Sequence, residues 1–309
     1  MVDSNNCWFE NINESELSEI LTQYNHGKNR RYIVDKTKSY FDALNKLWNS
    51  FNKLIQNNSD GRVKDSSLFK QLILKILSDK EKMDLCKSRE LLKIIKLSPK
   101  VMNHDTLRNL GYNPDDISAE IEIKSQSEHT ELENEFRRYK SPGIKPTALI
   151  KKLCRFLYVV RSNLMHGEKT PFGPDTKKVE RDKSVCNAVI PILELLFEYL
   201  CDYPSNYLCI YGTLAPEKVN NDVLKNISGS WLDCKIKGDI FEKNGLPFFN
   251  WNLTSTPIKA QLFTSEELRK YQNKIDNFEG KLYNRILIPT QVNDQVRIAF
   301  IYSENDQEY

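Results

Sequence analysis

The stretch PSNYLCIYGTL, residues 204–214, marks the place where the sequence pattern of the chain changes. Before it, apolar residues recur at three- and four-residue steps, which is typical of amphipathic helices. After it, the chain consists of short apolar runs separated by turns, which favours strands. The chain has 309 residues, and this length already favours two domains. We therefore predict an all-helical domain followed by an α+β domain, with a linker at residues 204–206.

The part before the linker carries several apolar stripes of helical period. The stripes predict helices over residues 37–57, 68–77, 88–97, 147–164 and 181–203. Pro191 lies inside the last of these helices, so a kink is expected there. His104 and His129 lie in polar stretches and are predicted to be at the surface. The predicted helical domain spans residues 37–203, and residues 1–36 are predicted to be an N-terminal extension.

The part after the linker is predicted to form a small barrel or curled sheet over residues 207–303, with a tail at 304–309. Strands are predicted at 207–211, 258–263, 285–289 and 296–302, and one or two more within 230–241. One helix, residues 265–275, interrupts them. The expected fold class is thus a multidomain protein with an all-α bundle and an α+β barrel.

Composition excludes several classes of protein. The chain is 39% hydrophobic and 28% charged, and it has no run of about 18 apolar residues, so no membrane span is expected. The first residues lack the basic and apolar regions of a secretory signal, and a cytoplasmic location is expected. The seven cysteines show no CxxC spacing, so neither a zinc site nor a disulfide framework is predicted.

The two parts of the chain differ in net charge. Residues 1–200 carry a net charge of +5 and residues 201–309 carry −2. The basic excess permits an anionic partner such as RNA, although a solvated surface explains it equally well.

The first motif whose residue types are suited to catalysis is RSNLMHG, residues 161–167. A histidine can act as acid or base near neutral pH, and an arginine can stabilise the charge on a phosphate. The plainer interpretation is a solvent-facing Arg161 and a His166 at a helix end capped by Gly167. With the helices on either side and the segment FDALNKLWNSFN at 41–52, the region 37–203 resembles the HEPN family. In that family a polar residue, more often Asn or Asp, follows the arginine; here it is Ser162, and Asn163 comes next.

The HEPN resemblance implies a metal-independent endoribonuclease that acts as a toxin or an antiphage defence effector. It implies a homodimer in which each protomer supplies Arg161 and His166 as catalytic residues, with Ser162 and Asn163 contacting RNA. A cognate antitoxin is a further partner that this class of protein can have. No metal or cofactor is expected, and no membrane partner.

The second motif combines two separated pieces, YGTL at residues 211–214 and DNFEG at 276–280, followed by Tyr283 and Arg285. Taken alone, the first piece predicts a strand and a tight turn, and the second an exposed acidic turn. Together, in this order, they resemble the gamma-glutamylcyclotransferase superfamily over residues 207–303.

This second resemblance implies that Glu279 moves a proton while a gamma-glutamyl compound closes to 5-oxoproline. Backbone N–H groups of Gly212, Thr213 and Leu214 would bind the carboxylate or oxyanion, and Tyr211 and Tyr283 would orient the substrate. Three functions stay open. In the first, the barrel regulates or supplements a HEPN ribonuclease. In the second, it is itself a gamma-glutamylamine cyclotransferase with a dimerising or RNA-binding helical half. In the third, neither half is catalytic and the chain is a regulatory partner protein.

Overall fold

The computed structural model describes residues 12–30, 36–57, 65–97, 108–109, 111, 128–165 and 176–305. Within them the chain forms ten α-helices and seven β-strands. It divides into two compact units, one of Met1–Asn25 with Leu200–Tyr309 and the other of His26–Tyr199. The expectation of a helical part followed by a small α+β barrel is confirmed. HEPN membership itself stays a prediction.

Among the described residues, eight helices precede the barrel strands. They are α1 (Glu14–Arg30), α2 (Lys36–Asn57), α3 (Asp65–Ile76), α4 (Asp79–Lys87), α5 (Arg89–Ile95), α6 (Glu128–Tyr139), α7 (Thr147–Met165) and α8 (Thr176–Leu200). The apolar stripe on α2 forms the centre of the helical unit. There the ring centroids of Trp48 and Phe69 lie 4.9 Å apart. Phe51 contacts Phe69 and Phe197 edge-on, at 5.6 and 5.8 Å. None of the helices in these described ranges is long and apolar enough to cross a membrane.

Some features of the helical unit differ from the prediction. His129 is fully buried rather than at the surface, because one face of α6 packs inward with Leu132 and Phe136. Its Nε2 lies 2.7 Å from the carbonyl oxygen of Ile94. Helix α4 was not predicted, since it buries too little to show a stripe. It is started instead by a capping box, in which Ser78 and Glu81 bond to each other's backbone N–H.

The second part of the chain forms a closed five-stranded barrel. This part has seven strands, of which all but β3 and β4 belong to the barrel: β1 (Tyr207–Ile210), β2 (Ser230–Lys237), β3 (Asp239–Lys243), β4 (Leu246–Asn250), β5 (Pro257–Thr264), β6 (Tyr283–Val292) and β7 (Gln295–Glu304). The order around the barrel is β1-β5-β2-β6-β7, and β1 closes it by pairing parallel to β7. Strands β3 and β4 form a separate hairpin. Two helices lie among the strands, α9 (Asp222–Lys225) and α10 (Leu268–Glu279).

The first part of α1 belongs to the barrel unit. Asn25 is buried, and its side-chain amide donates to the carbonyl of Leu287 at 2.8 Å while accepting from the Leu287 N–H at 2.7 Å. The Asn25 side chain therefore makes the two backbone hydrogen bonds with Leu287 that a neighbouring strand would make with β6. At the other end of the same segment, Glu14 forms an ion pair with Lys237 at 2.6 Å. The prediction treated residues 1–36 as an extension outside both domains, whereas Glu14–Asn25 is part of the barrel's own structure.

Candidate active site

A cavity of about 370 Å³ opens at one end of the barrel. Four parts of the barrel unit line it: the end of β1 with its following loop, the tip of the β3–β4 hairpin, the end of α10 with the turn after it, and the ends of β6 and β7. Its lining residues are Cys209, Ile210, Tyr211, Gly212, Thr213, Leu214, Asn220, Gly245, Leu246, Pro247, Phe278, Glu279, Leu282, Tyr283 and Tyr302. A concave site with a few polar groups among apolar ones is typical of small-molecule binding.

The loop after β1 is held in place by Asn220. Its side-chain amide donates to the hydroxyl of Thr213 at 2.9 Å, and its backbone N–H donates to the Thr213 carbonyl at 3.1 Å. The backbone N–H groups of Gly212, Thr213 and Leu214 have no hydrogen-bond acceptor among the residues that the structure describes. Successive unpaired N–H groups that line a cavity can bind a negatively charged group.

Glu279 is the last residue of α10 and is half-buried in the cavity wall. Gly280 ends the helix with φ 75°, a conformation that favours glycine, and its N–H bonds back to the Asp276 carbonyl at 3.0 Å. Burial, with a smaller contribution from the charge of Asp276, raises the pKa of Glu279 from 4.5 to about 7. Its carboxyl forms no hydrogen bond or ion pair with any described residue. Glu279 can therefore both accept and donate a proton near neutral pH.

Asp276 lies one helical turn before Glu279, in a different environment. One of its carboxylate oxygens accepts a hydrogen bond from Tyr302 at 2.6 Å and lies 2.9 Å from Nε of Arg285. The other accepts from Nη2 of Arg285 at 3.1 Å. The guanidinium is itself placed 4.6 Å from the ring centre of Phe300. The Asp276 carboxylate is thus occupied by its partners, and Glu279 is left as the carboxyl available to a ligand.

Two tyrosines line the cavity, Tyr211 just after β1 and Tyr283 at the start of β6. The Tyr283 hydroxyl donates to the carbonyl of Pro247 at 2.9 Å, and its ring stacks on Phe248 at 4.9 Å. The Tyr211 ring lies 5.6 Å from Phe249. Burial raises the pKa of both tyrosines, and the nearby Glu279 raises each further. Both hydroxyls therefore stay protonated at neutral pH.

The structure brings the second predicted set of site residues together. Tyr211, the loop 212–214, Glu279 and Tyr283 all line the one cavity. Sequence reasoning did not identify Asn220, which holds its own loop through Thr213, or Tyr302, which bonds to Asp276 on another element. Asp276 could have been found, because its three-residue spacing from Glu279 places both on one face of a helix.

The first predicted set is only partly described. Arg161 lies in the last turn of α7, half-buried, with its guanidinium carbon 5.9 Å from the ring centre of Tyr158. Its Nε is buried without a hydrogen-bond partner among the described residues. Ser162 is half-buried and Asn163 is buried. His166 lies outside the described residues, so the pairing of Arg161 with His166 stays a prediction.

Part of this chain is similar to solved structures of other proteins. No family model matches the chain, and no curated protein does. Among solved structures, the chain is similar to YkqA from Bacillus subtilis, with 25% identity over 32% of this chain and a TM-score of 0.28. It is also similar to the uncharacterized protein PH0828 from Pyrococcus horikoshii, with 20% identity over 33% of this chain, 79% of that chain and a TM-score of 0.25. The match spans only 36% of YkqA.

In the described ranges, no group of three or more His, Cys, Asp or Glu side chains is arranged to hold a metal ion. The cysteine at the cavity, Cys209, has its sulfur 3.6 Å from that of Cys234. Both cysteines are buried free thiols.

Proposed function

We propose that the barrel unit is a gamma-glutamylamine cyclotransferase, which converts a gamma-glutamyl amide into 5-oxoproline and a free amine. The observation that carries this proposal is the unpaired carboxyl of Glu279, with a pKa of about 7, in the same cavity as the unpaired backbone N–H groups of residues 212–214. A proton carrier and an anion site in one small cavity are the two things this ring closure needs.

The reaction is balanced within the substrate. Its α-amine nitrogen attacks its own γ-carbonyl carbon, so that one C–N bond forms and the C–N bond to the departing amine breaks. Glu279 takes the proton that the attacking nitrogen must lose and delivers it to the departing nitrogen. No oxidant or second reactant is needed. The carboxyl returns to its starting state after each turnover.

The other residues that line the cavity bind and orient the substrate. The N–H groups of Gly212, Thr213 and Leu214 receive the α-carboxylate of the substrate or the oxyanion that forms on its carbonyl. Tyr211 and Tyr283 stay protonated and fix the direction of approach. Because Asn220 holds the loop before any ligand arrives, little binding energy is spent on ordering it.

The test uses the 309-residue chain and gamma-glutamyl-methylamide, with 5-oxoproline and methylamine measured together. The native protein should release both in equal amounts. Glu279→Gln keeps the size of the side chain but cannot move the proton, so its rate should fall by a factor of about 100 or more. Glu266→Gln, an exposed change on the approach to α10, is the matched control and should not alter the rate. A Glu279→Gln protein as fast as the native one would refute the proposal.

A second proposal is RNA cleavage by Arg161 and His166 in a homodimer, with Ser162 contacting the RNA; Asn163, expected from the sequence to contact RNA as well, is buried and is left out of this proposal. The buried Nε of Arg161, which has no partner among the described residues, favours it, because such a donor is costly unless a ligand satisfies it. Expression of the native chain should then be toxic and His166→Ala should relieve the toxicity, while Glu279→Gln should not. Full RNA cleavage by the His166→Ala protein would contradict this second proposal.

A further inference from the structure

Two thiols meet inside the barrel, beside the cavity. Cys209 on β1 and Cys234 on β2 belong to the apolar core of the barrel, and their sulfurs lie 3.6 Å apart. Both residues are buried, with exposed fractions of 2% and 4%. Cys209 also lines the cavity, so a small ligand can approach the pair from there. Neither cysteine has a role in the ring closure proposed above.

The barrel strands hold both cysteines in place. On β5, which lies between β1 and β2, Leu262 is the register partner of Cys209, and Ala260 is the register partner of Cys234. All four residues belong to the same buried cluster inside the barrel. Sites built on strands are held more precisely than sites on loops. The separation of the two sulfurs is therefore set by the fold before any ligand arrives.

The separation of the sulfurs fits a shared metal ion. A tetrahedral Zn²⁺ centre with Zn–S bonds of about 2.3 Å places two thiolate sulfurs about 3.8 Å apart. The observed distance of 3.6 Å is close to that value. Without a metal, the same distance is that of a hydrogen bond between the two thiols. Metal binding would replace the two thiol protons with the ion and would need little movement of either side chain.

A buried hydroxyl lies beside the same pair. Thr290 on β6 is fully buried, and its Oγ1 has no hydrogen-bond partner among the described residues. The hydroxyl nevertheless lies close enough to Cys209 to lower the pKa of that thiol, against the larger rise that Cys234 and burial cause. A buried polar atom without a partner is costly unless a ligand or a new acceptor satisfies it. A thiolate at Cys209 would be such an acceptor.

The surroundings of the pair restrict the charge of the ion. The described side chains that form the cluster around the sulfurs are apolar, and none of them carries a charge. Two thiolates and one divalent cation form a neutral unit, whereas a monovalent cation would leave a negative charge in the apolar core. Mg²⁺ and Ca²⁺ prefer oxygen ligands, and Zn²⁺ is bound well by thiolates. The pair therefore favours a divalent cation with affinity for sulfur.

We propose that Cys209 and Cys234 bind one divalent cation of the Zn²⁺ class through both sulfurs, with the Thr290 hydroxyl donating to the Cys209 sulfur. Two S–H bonds break, two sulfur–metal bonds form, and the two protons pass to solvent without any transfer of electrons. Two protein ligands leave coordination positions open, and water or a ligand in the cavity fills them. The site does not depend on the cyclotransferase reaction, so its test needs no activity measurement.

The test adds Co²⁺, a spectroscopic substitute for Zn²⁺, to the 309-residue chain kept reduced with a phosphine. The native chain should develop a thiolate-to-cobalt absorption band that saturates at one ion per chain, and added Zn²⁺ should abolish the band. Cys209→Ser and Cys234→Ser should each weaken binding by a factor of about 100 or more, because each removes a ligand. Cys154→Ser, which changes a buried thiol of the helical unit, is the matched control and should keep the native spectrum.

Thr290→Val keeps the test decisive if a cysteine variant does not fold. It preserves the shape of the side chain and removes only the hydroxyl, so it should retain the band and lower the affinity about tenfold. An unchanged affinity would overturn the role of Thr290. Absence of the band in the native chain, or an unchanged band in folded Cys209→Ser protein, would overturn the site. Equal loss of the band in Cys154→Ser would show that cobalt binds elsewhere and would overturn it as well.

Discussion

Two carboxyl groups one helical turn apart near the end of α10 have opposite surroundings. Asp276 is held by Arg285 and by the Tyr302 hydroxyl, whereas Glu279 has no hydrogen-bond or ion-pair partner among the described residues. Burial then raises the pKa of Glu279 to about 7. Pairs of carboxyls whose environments differ in this way commonly divide the work, one positioning and one transferring protons. At the residue scale, we expect Asp276 to be a positioning residue.

The pH profile of kcat/KM provides a test of that positioning role. Activity should rise with pH through the pKa of Glu279, near 7, because the carboxylate form must accept the proton. Asp276→Asn removes a negative charge, which makes the Glu279 carboxylate easier to form, so the rise should move to lower pH. Arg285→Gln leaves Asp276 uncompensated and should move the rise to higher pH. Shifts in the same direction for both variants would contradict the assignment.

The same raised pKa predicts a stability effect with a definite sign. Between pH 4.5 and 7 the folded protein holds a proton on Glu279 that the unfolded chain has released. Stability from this group is therefore present below pH 4.5 and is lost as the pH rises to 7. Glu279→Gln should be more stable than the native chain at pH 8, by about 1–3 kcal/mol, and nearly equal to it at pH 4.5.

Urea unfolding at the two pH values measures this effect. Glu266→Gln is the control and should show the same small difference at both. A Glu279→Gln protein whose stability relative to the native chain does not change with pH would show that the carboxyl is not held in a desolvated site.

At the scale of elements, the contact of α1 with β6 depends on one side chain. Asn25→Leu keeps much of the volume but leaves the N–H and carbonyl of Leu287 without their partner in a buried position. The expected loss is about 2–4 kcal/mol in the free energy of unfolding, with faster hydrogen exchange at the Leu287 amide. Ser15→Ala, an exposed change on the same helix, should lose less than about 0.5 kcal/mol. Unchanged exchange at Leu287 in Asn25→Leu would contradict the prediction.

The elements also explain what the sequence could and could not predict. The strand before Tyr211 and the helix before Glu279 each have a local pattern, and their motifs predicted that both would serve one site. The contact between Asn25 and Leu287 joins residues 262 positions apart, and no periodicity in either segment indicates it. His129 was predicted at the surface because its neighbours are polar, although helical spacing places it on the same face as Leu132. Local patterns thus predicted most of the helices and barrel strands, whereas α1, α4 and the long-range polar pairs were not predicted.

At the scale of the whole molecule, the barrel unit consists of two segments that are distant in the chain, Met1–Asn25 and Leu200–Tyr309. A fragment of residues 200–309 therefore lacks Asn25 and Glu14, which bond to Leu287 and Lys237. It should unfold at a lower urea concentration than a fragment in which residues 12–25 are joined to it by a flexible Gly/Ser linker. Equal midpoints for the two fragments would show that this segment does not stabilise the barrel.

The same two-segment unit has a consequence for the order of events during translation. Asn25 leaves the ribosome 262 residues before Leu287, the residue whose backbone it binds. At about 5–20 residues per second, that interval is roughly 13–50 seconds. Throughout it, the apolar face of the segment, with Leu17, Ile20 and Leu21 that are buried in the finished fold, has no completed barrel to join. During this interval the segment is exposed to aggregation and chaperone capture, and the barrel unit is completed only after the helical unit between its two segments has been synthesised.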